Sequence, residues 1–120
     1  MTHEEISKEL NGIIEYLSCW YDKDNGVEIS ERITSLNVYL ARTSVLLSEA
    51  QYLFDVKFAS ETEKLIGNES LSPSTINNLG KSRCAIENKL LKLTERINRT
   101  IIHQLDSIRS QLSFLKSFNN

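Results

Sequence analysis

The sequence predicts an all-α protein: a long antiparallel helical hairpin with a shorter N-terminal helix packed on it, a three-helix bundle with coiled-coil-like seams. Three observations carry this. Leu, Ile, Val and Phe supply 36 of the 120 residues, enough for a core and too many for a disordered chain. Breaks are scarce, with one proline and four glycines, whereas a β-sandwich needs a turn signal every ~8–12 residues. Apolar residues also recur at steps of three and four over long windows, the helical period. The length suits one domain, taken as residues 1–120.

The first helix is expected over about 3–23. Thr2 followed by Glu5 fits a capping box, and Ile6, Leu10, Ile13, Ile14, Leu17 and Trp20 form its apolar stripe. Asp24-Asn25-Gly26 is read as its end, with Gly26 free to adopt a left-handed conformation. The second helix is expected over about 28–66. Ile33, Leu36, Leu40, Leu47 and Phe54 belong to a heptad seam that serves as packing or oligomer contact. A second set, Val38, Tyr39, Val45, Leu46, Tyr52 and Leu53, widens the apolar surface. It calls for cover on more than one side, from the first helix or from another subunit. Arg42, Glu49 and Asp55 interrupt it, either as a polar flank or as charges that pair between helices to set register.

Residues 67–72 form a turn. Ser72-Pro73 then starts a third helix, Ser as N-cap and Pro where its missing N–H costs nothing. This helix is expected over 73–117, with Gly80 weakening its first turns so that fraying or a break there stays open. A hairpin this thin leaves apolar surface uncovered, so a homo-oligomer, with a dimer favoured, is expected.

Net charge is −2, but unevenly spread. Residues 1–69 hold 6 Lys/Arg and 13 Asp/Glu, and residues 70–120 hold 8 and 3. Two readings stay open: opposite halves attracting one another within the fold, or a basic third helix offered to an acidic partner or nucleic acid. Cys19 and Cys84 stand alone and are read as reduced, buried or half-buried thiols. The N-terminus shows no secretory pattern and no run approaches a membrane span, so a cytoplasmic protein without membrane contact is expected.

No dinucleotide fingerprint, P-loop, HExxH, GxSxG or EF-hand pattern occurs, and the two histidines are far apart in sequence. No catalytic residue, metal or cofactor is therefore expected, and the chain is read as no enzyme. The densest polar patch is ERINRTIIHQLDSIRS, residues 95–110. Arg96, Arg99, His103, Asp106 and Ser110 share one helix face there. Asp106 is placed to orient His103, and two guanidiniums suit a phosphate or carboxylate. The plain alternative is a solvated face with local pairs such as Glu95–Arg99.

Two strings, LNVYLARTSVLLSEAQYLFD (36–55) and ERINRTIIHQLDSIRSQLSFLK (95–116), resemble small helical proteins encoded in phage and prophage early regions, near recombination and replication genes. The likeness rests on an ARxxxLLxEAxY stretch from Ala41 to Tyr52 and on Arg96, Asn98, His103, Gln104, Asp106 and Arg109. It implies a small accessory protein of phage origin and carries no functional residue with it. The leading functional expectation is a non-catalytic interaction protein that self-associates and binds a larger protein through the Arg96/Arg99/His103/Asp106 face. Two others stand beside it. One is an inhibitor of a host defence system, blocking a defence protein or sequestering a nucleotide signal between subunits. The other is a nucleic-acid-binding accessory using the third helix.

Overall fold

The computed structural model describes residues 1–68 and 70–118; Glu69, within the expected 67–72 turn, lies outside them. These residues hold four helices and no strand: α1 (His3–Ser18), α2 (Gly26–Leu65), α3 (Pro73–Ser82) and α4 (Ala85–Phe118). The all-α expectation holds, and the three-helix description becomes four. The molecule measures 73 × 25 × 18 Å with a radius of gyration of 20.2 Å. A compact chain of this length would have about 14 Å, so this is a rod.

The caps read from the sequence form at two helix starts. The Glu5 N–H donates to Thr2 Oγ1 at 3.1 Å, and the Thr75 N–H donates to Ser72 Oγ at 3.2 Å with Pro73 at the first turn. The α1–α2 junction differs from expectation. α1 stops at Ser18 rather than near 23, so Trp20 leaves the apolar stripe and is 83% exposed. Gly26 opens α2 instead of closing α1. The reason is Asn25, whose side-chain oxygen accepts from the Val27 and Glu28 N–H groups and makes it the N-cap of α2. Glu28 reaches back to accept from the Asp22 N–H, which ties the linker to α2. The left-handed glycine of the chain is Gly67, in the turn after α2, with φ of 105°.

The expected third helix is two helices. Near residue 83 the ladder tightens: the Arg83 N–H reaches the Leu79 carbonyl at 3.1 Å, and the Cys84 N–H reaches only three residues back, to Lys81. α4 then restarts, with the Asn88 N–H on the Cys84 carbonyl at 2.8 Å. The break leaves Cys84 fully buried and α3 hard against the end of α2. Gly80 makes that approach possible, because a Cβ there would lie 2.6 Å from Thr62 Cγ2 and 3.1 Å from Phe58 Cε2.

α2 packs chiefly on α4 along most of the rod. Leu36, Leu46 and Ala50 meet Ile97, Ile101, Leu105 and Ile108 in one core, and Ile6, Leu10 and Ile13 of α1 close its third side. Cover over α2's second apolar set is divided. Leu46 is fully buried and Tyr39 and Leu53 are half-buried against the core, whereas Val38, Val45 and Tyr52 are 64%, 47% and 63% exposed.

At the α2–α3 end, Glu61 is buried among three cations, Lys57 Nζ at 3.1 Å, Lys64 Nζ at 3.3 Å and Arg83 Nη1 at 3.5 Å. The hydrogen bond from Lys57, then that from Lys64, holds the Glu61 carboxyl below its ordinary range. Glu9 is lowered in the same sense, first by its hydrogen bonds from Arg42. Both groups are more acidic folded than unfolded, so their stabilisation is complete above about pH 4.3 and disappears as pH falls through the folded value.

Two outcomes follow. Gly80→Ala gains about 1 kcal/mol of helix propensity but overpacks against Thr62. That side chain is pinned by its hydrogen bond to the Phe58 carbonyl at 2.9 Å, and such overpacking costs ~1–3 kcal/mol. Urea titration should find the variant less stable by about 1 kcal/mol. Glu61→Gln should be less stable than the parent at pH 7, with the gap narrowing below about pH 4; a gap independent of pH would show that the carboxylate charge contributes nothing.

Candidate functional site

The buried residues of α4 (Leu90, Thr94, Ile97, Ile101, Leu105 and Ile108) define its inner face. Helical spacing then puts Arg96, Arg99, His103, Asp106 and Ser110 on the opposite side, and all five are exposed. Lys92 continues the row toward the start of α4. The structure thus brings the expected residues onto one face without joining them into a clamp. Arg99 Nη2 stands 3.8 Å from Glu95 Oε2, with its side chain 67% exposed, and Lys92 Nζ reaches the same carboxylate at 3.5 Å. The Ser110 hydroxyl is spent on the Asp106 carbonyl of its own helix. Among the described residues no hydrogen bond joins His103 to Asp106, so the expected orientation of the imidazole by that carboxylate is not formed. The result is a row of exposed charges in which Lys92 and Arg99 share Glu95. Such a row can attract an extended anionic surface, each contact being weak alone and the row additive.

The charge asymmetry of the sequence survives into the fold. Among the described ion pairs only Arg83–Glu61 joins the basic half to the acidic half. Arg42 pairs instead with Glu9, its Nε donating to Oε2 at 2.6 Å and its Nη2 to Oε1, which ties α2 to α1 within the acidic half. Lys92 and Arg99 find only Glu95 of their own helix. Mutual attraction of the halves therefore uses little of the charge, and the basic side of α4 faces outward.

The seam Ile33, Leu36, Leu40, Leu47 and Phe54 is placed inward. Leu36 is fully buried, and the other four are half-buried against the core shared with α4. These residues serve intrachain packing.

Sequence reading overlooked Arg32. It is 6% exposed, with the guanidinium stacked 4.3 Å from the Tyr16 ring centroid and 4.9 Å from that of Tyr21. Nη1 donates to the Tyr16 carbonyl and Nη2 to the Leu17 carbonyl, both at 3.2 Å, with Gln104 Oε1 at 3.4 Å. Among the described residues the Leu17 carbonyl has no other donor, and the Tyr16 carbonyl accepts from the Cys19 N–H at 3.0 Å as well as from Arg32, in a last turn of α1 that has no basic residue of its own. A cation there also opposes the negative end of the helix dipole. The available signal was positional: Arg32 lies between Ile29 and Leu36 at core spacing, where a charge must be spoken for.

An open and mainly apolar groove of about 800 Å³ lies between the start of α2 and the end of α4, with Val27, Leu115, Phe114 and Phe118 in its wall. On α4 it begins at Leu112, just beyond the end of the Arg96–Ser110 row. Smaller clefts flank Arg32 beside Trp20 and Cys19. Cys19 is exposed, against the expectation of a buried or half-buried thiol, and burial pushes the Cys84 thiol up. Among the described residues no group of three or more His, Cys, Asp or Glu is placed to hold a metal ion, and no helix is long and apolar enough to cross a membrane.

Fold and surface together define a helical rod with one segregated basic face. No protein-family model matches the chain, and no curated protein or solved structure is significantly similar to it.

Arg32→Lys keeps the charge but loses the planar fork and the stacking. With the stacking and one of the two charge-assisted carbonyl bonds lost, the variant should be about 1–3 kcal/mol less stable in urea titration. An unchanged midpoint would mean that α1 does not depend on this cap.

Proposed function

We propose that the protein is a non-catalytic interaction module that self-associates and docks a larger, acidic protein partner on the outer face of α4. The observation that carries the reading is that the cations of this face are not consumed by other helices: Arg96 and Arg99 are exposed, and the carboxylates near them, Glu95 and Asp106, belong to the same helix. The surface supports the same reading. The chain exposes 7941 Å², about 1,300 Å² more than a compact protein of this mass would, so outward faces are plentiful. The resemblance to phage early-region proteins makes recombination or replication machinery the partner class of first choice, with a host defence protein as the alternative.

Nucleic acid is the second reading, favoured by the regular placement of Lys92, Arg96 and Arg99 along one ridge. The acidic residues of α1 and α2 on the same rod count against it.

One experiment separates them. Immobilised protein and the double variant Arg96→Glu/Arg99→Glu are exposed to host lysate, with and without nuclease, after circular dichroism has shown equal helicity. Capture of a discrete protein that resists nuclease and weakens at least about tenfold in the variant is expected. Loss on nuclease treatment would replace the protein partner with nucleic acid. Equal capture by the variant would remove the α4 face from the proposal.

A further inference from the structure

α2 has a second side that the core does not use. Opposite Ile29, Leu36, Thr43 and Ala50, which face inward, helical spacing places Val38, Ala41, Val45, Ser48, Tyr52 and Val56 at steps of 3, 4, 3, 4 and 4. All six are exposed, Val38 at 64%, Tyr52 at 63% and Val56 at 49%. No charge lies in this seam. With Thr34 and Ala59 at its ends it runs about 38 Å. Ala41 and Ser48 are small, so a second helix can approach closely near the middle. The charges Arg42 and Glu49 line the edge nearer α1, and Asn37, Ser44, Gln51 and Asp55 line the other.

The seam is self-complementary about its centre. If a second copy of α2 runs antiparallel with the two-fold axis at Val45, residue n meets residue 90 − n. Val45 then meets Val45, the large Tyr52 meets the smaller Val38, and Thr34 meets Val56. Antiparallel pairing also sets each edge against its own counterpart, so Arg42 of each copy comes within one residue of Glu49 of the other, twice per pair. Within its own chain Arg42 is held by Glu9 and Glu49 by the N-terminal ammonium at 3.3 Å, yet both side chains keep about 40% exposure, 43% and 36%, so a second copy can still approach them. In-register parallel pairing sets the Arg42 edge against Asn37, Ser44 and Gln51, and the carboxylate of that edge, Asp55, lies 13 residues from the level of Arg42, about 20 Å away. We propose that two copies of this chain pair through α2, antiparallel, about a two-fold axis at Val45.

This deepens the self-association in the function proposed above and is independent of the α4 face, which points elsewhere. A strip about 38 Å long and one helix diameter, about 10 Å, across is small beside the ~800 Å² per partner of a standard stable interface. The expected dimer is therefore one that dissociates on dilution.

The test is sedimentation equilibrium of the full chain over a wide concentration range. The mass should rise with concentration from 13.7 kDa toward twice that value. Val45→Glu changes an exposed residue, so its helicity should be unchanged. It should weaken pairing at least about tenfold by placing two carboxylates on the axis. Register is read by cysteines in a Cys19→Ser background, Cys84 being buried. Val45→Cys should form a disulfide with itself under mild oxidation, whereas Val38→Cys should do so only when mixed with Tyr52→Cys. A wild-type chain that stays monomeric, a Val45→Glu variant that dimerises equally well, or Val38→Cys linking to itself as fast as Val45→Cys would each overturn the pairing. A monomer that still captures a partner through Arg96 and Arg99 would leave the α4 reading standing.

Discussion

The thickness of the rod constrains everything else. Two long helices packed along their length can bury one side of each, and a third helix of 16 residues covers only part of the remaining groove. The core formed by α2, α4 and α1 is accordingly narrow, one buried residue per turn or so on each helix. Each long helix must then expose a face as long as its buried one. The chemistry of those outer faces is where this protein has room to differ from any other bundle of the same length: α4 turns out a charged row and α2 an uncharged one.

Arg32 shows how so thin a core accommodates a charge. Burying a guanidinium without a carboxylate is costly, yet here its fork finds two carbonyls at the end of α1, that of Leu17 having no other donor among the described residues, and its faces lie against Tyr16 and Tyr21. One side chain thereby caps the end of α1, positions the 19–25 linker beside it and fastens α1 to α2. Trp20 is consequently outside the helix and exposed. Glu61 plays the converse part at the far end, gathering Lys57, Lys64 and Arg83 where α3 folds back. The two ends of the rod are thus held by buried charges of opposite sign, and the middle by aliphatic packing.

Most of the fold was legible because its signals are local. The caps at Thr2 and Ser72 and the stripes of α2 and α4 depend on residues within a turn or two of each other. What escaped depends on residues far apart. The last carbonyls of α1 are held by Arg32, well along the next helix, and the close approach of α3 to α2 depends on the fit of Gly80 against Thr62 and Phe58. Asn25-Gly26 was ambiguous in itself, since an Asn that caps a new helix and a Gly that closes an old one look alike. The seam from Ile33 to Phe54 had been open to either packing or oligomer contact, because periodicity identifies an apolar face without saying whose surface covers it. The α4 face was legible as a face, but the separation of His103 from Asp106 was not.

The two outer faces also differ in what they ask of a partner. Hydrated charges such as Arg96 and Arg99 attract at a distance and tolerate imprecise fit, so they suit the capture of a larger acidic surface and weaken as salt rises. An uncharged seam of small and β-branched residues gains nothing at a distance and rewards close fit, so it suits a partner whose geometry never varies, and a second copy of the same helix is such a partner. Pairing through α2 would leave α4 on the outside of each copy, so two basic ridges would be held on one assembly. Two weak electrostatic contacts on a single rigid body bind a repeated or extended partner far more strongly than either alone, provided the partner spans both. On this view the modest strength expected of each face is no obstacle: a dimer that forms only at sufficient concentration would make partner capture depend on how much of the protein has accumulated.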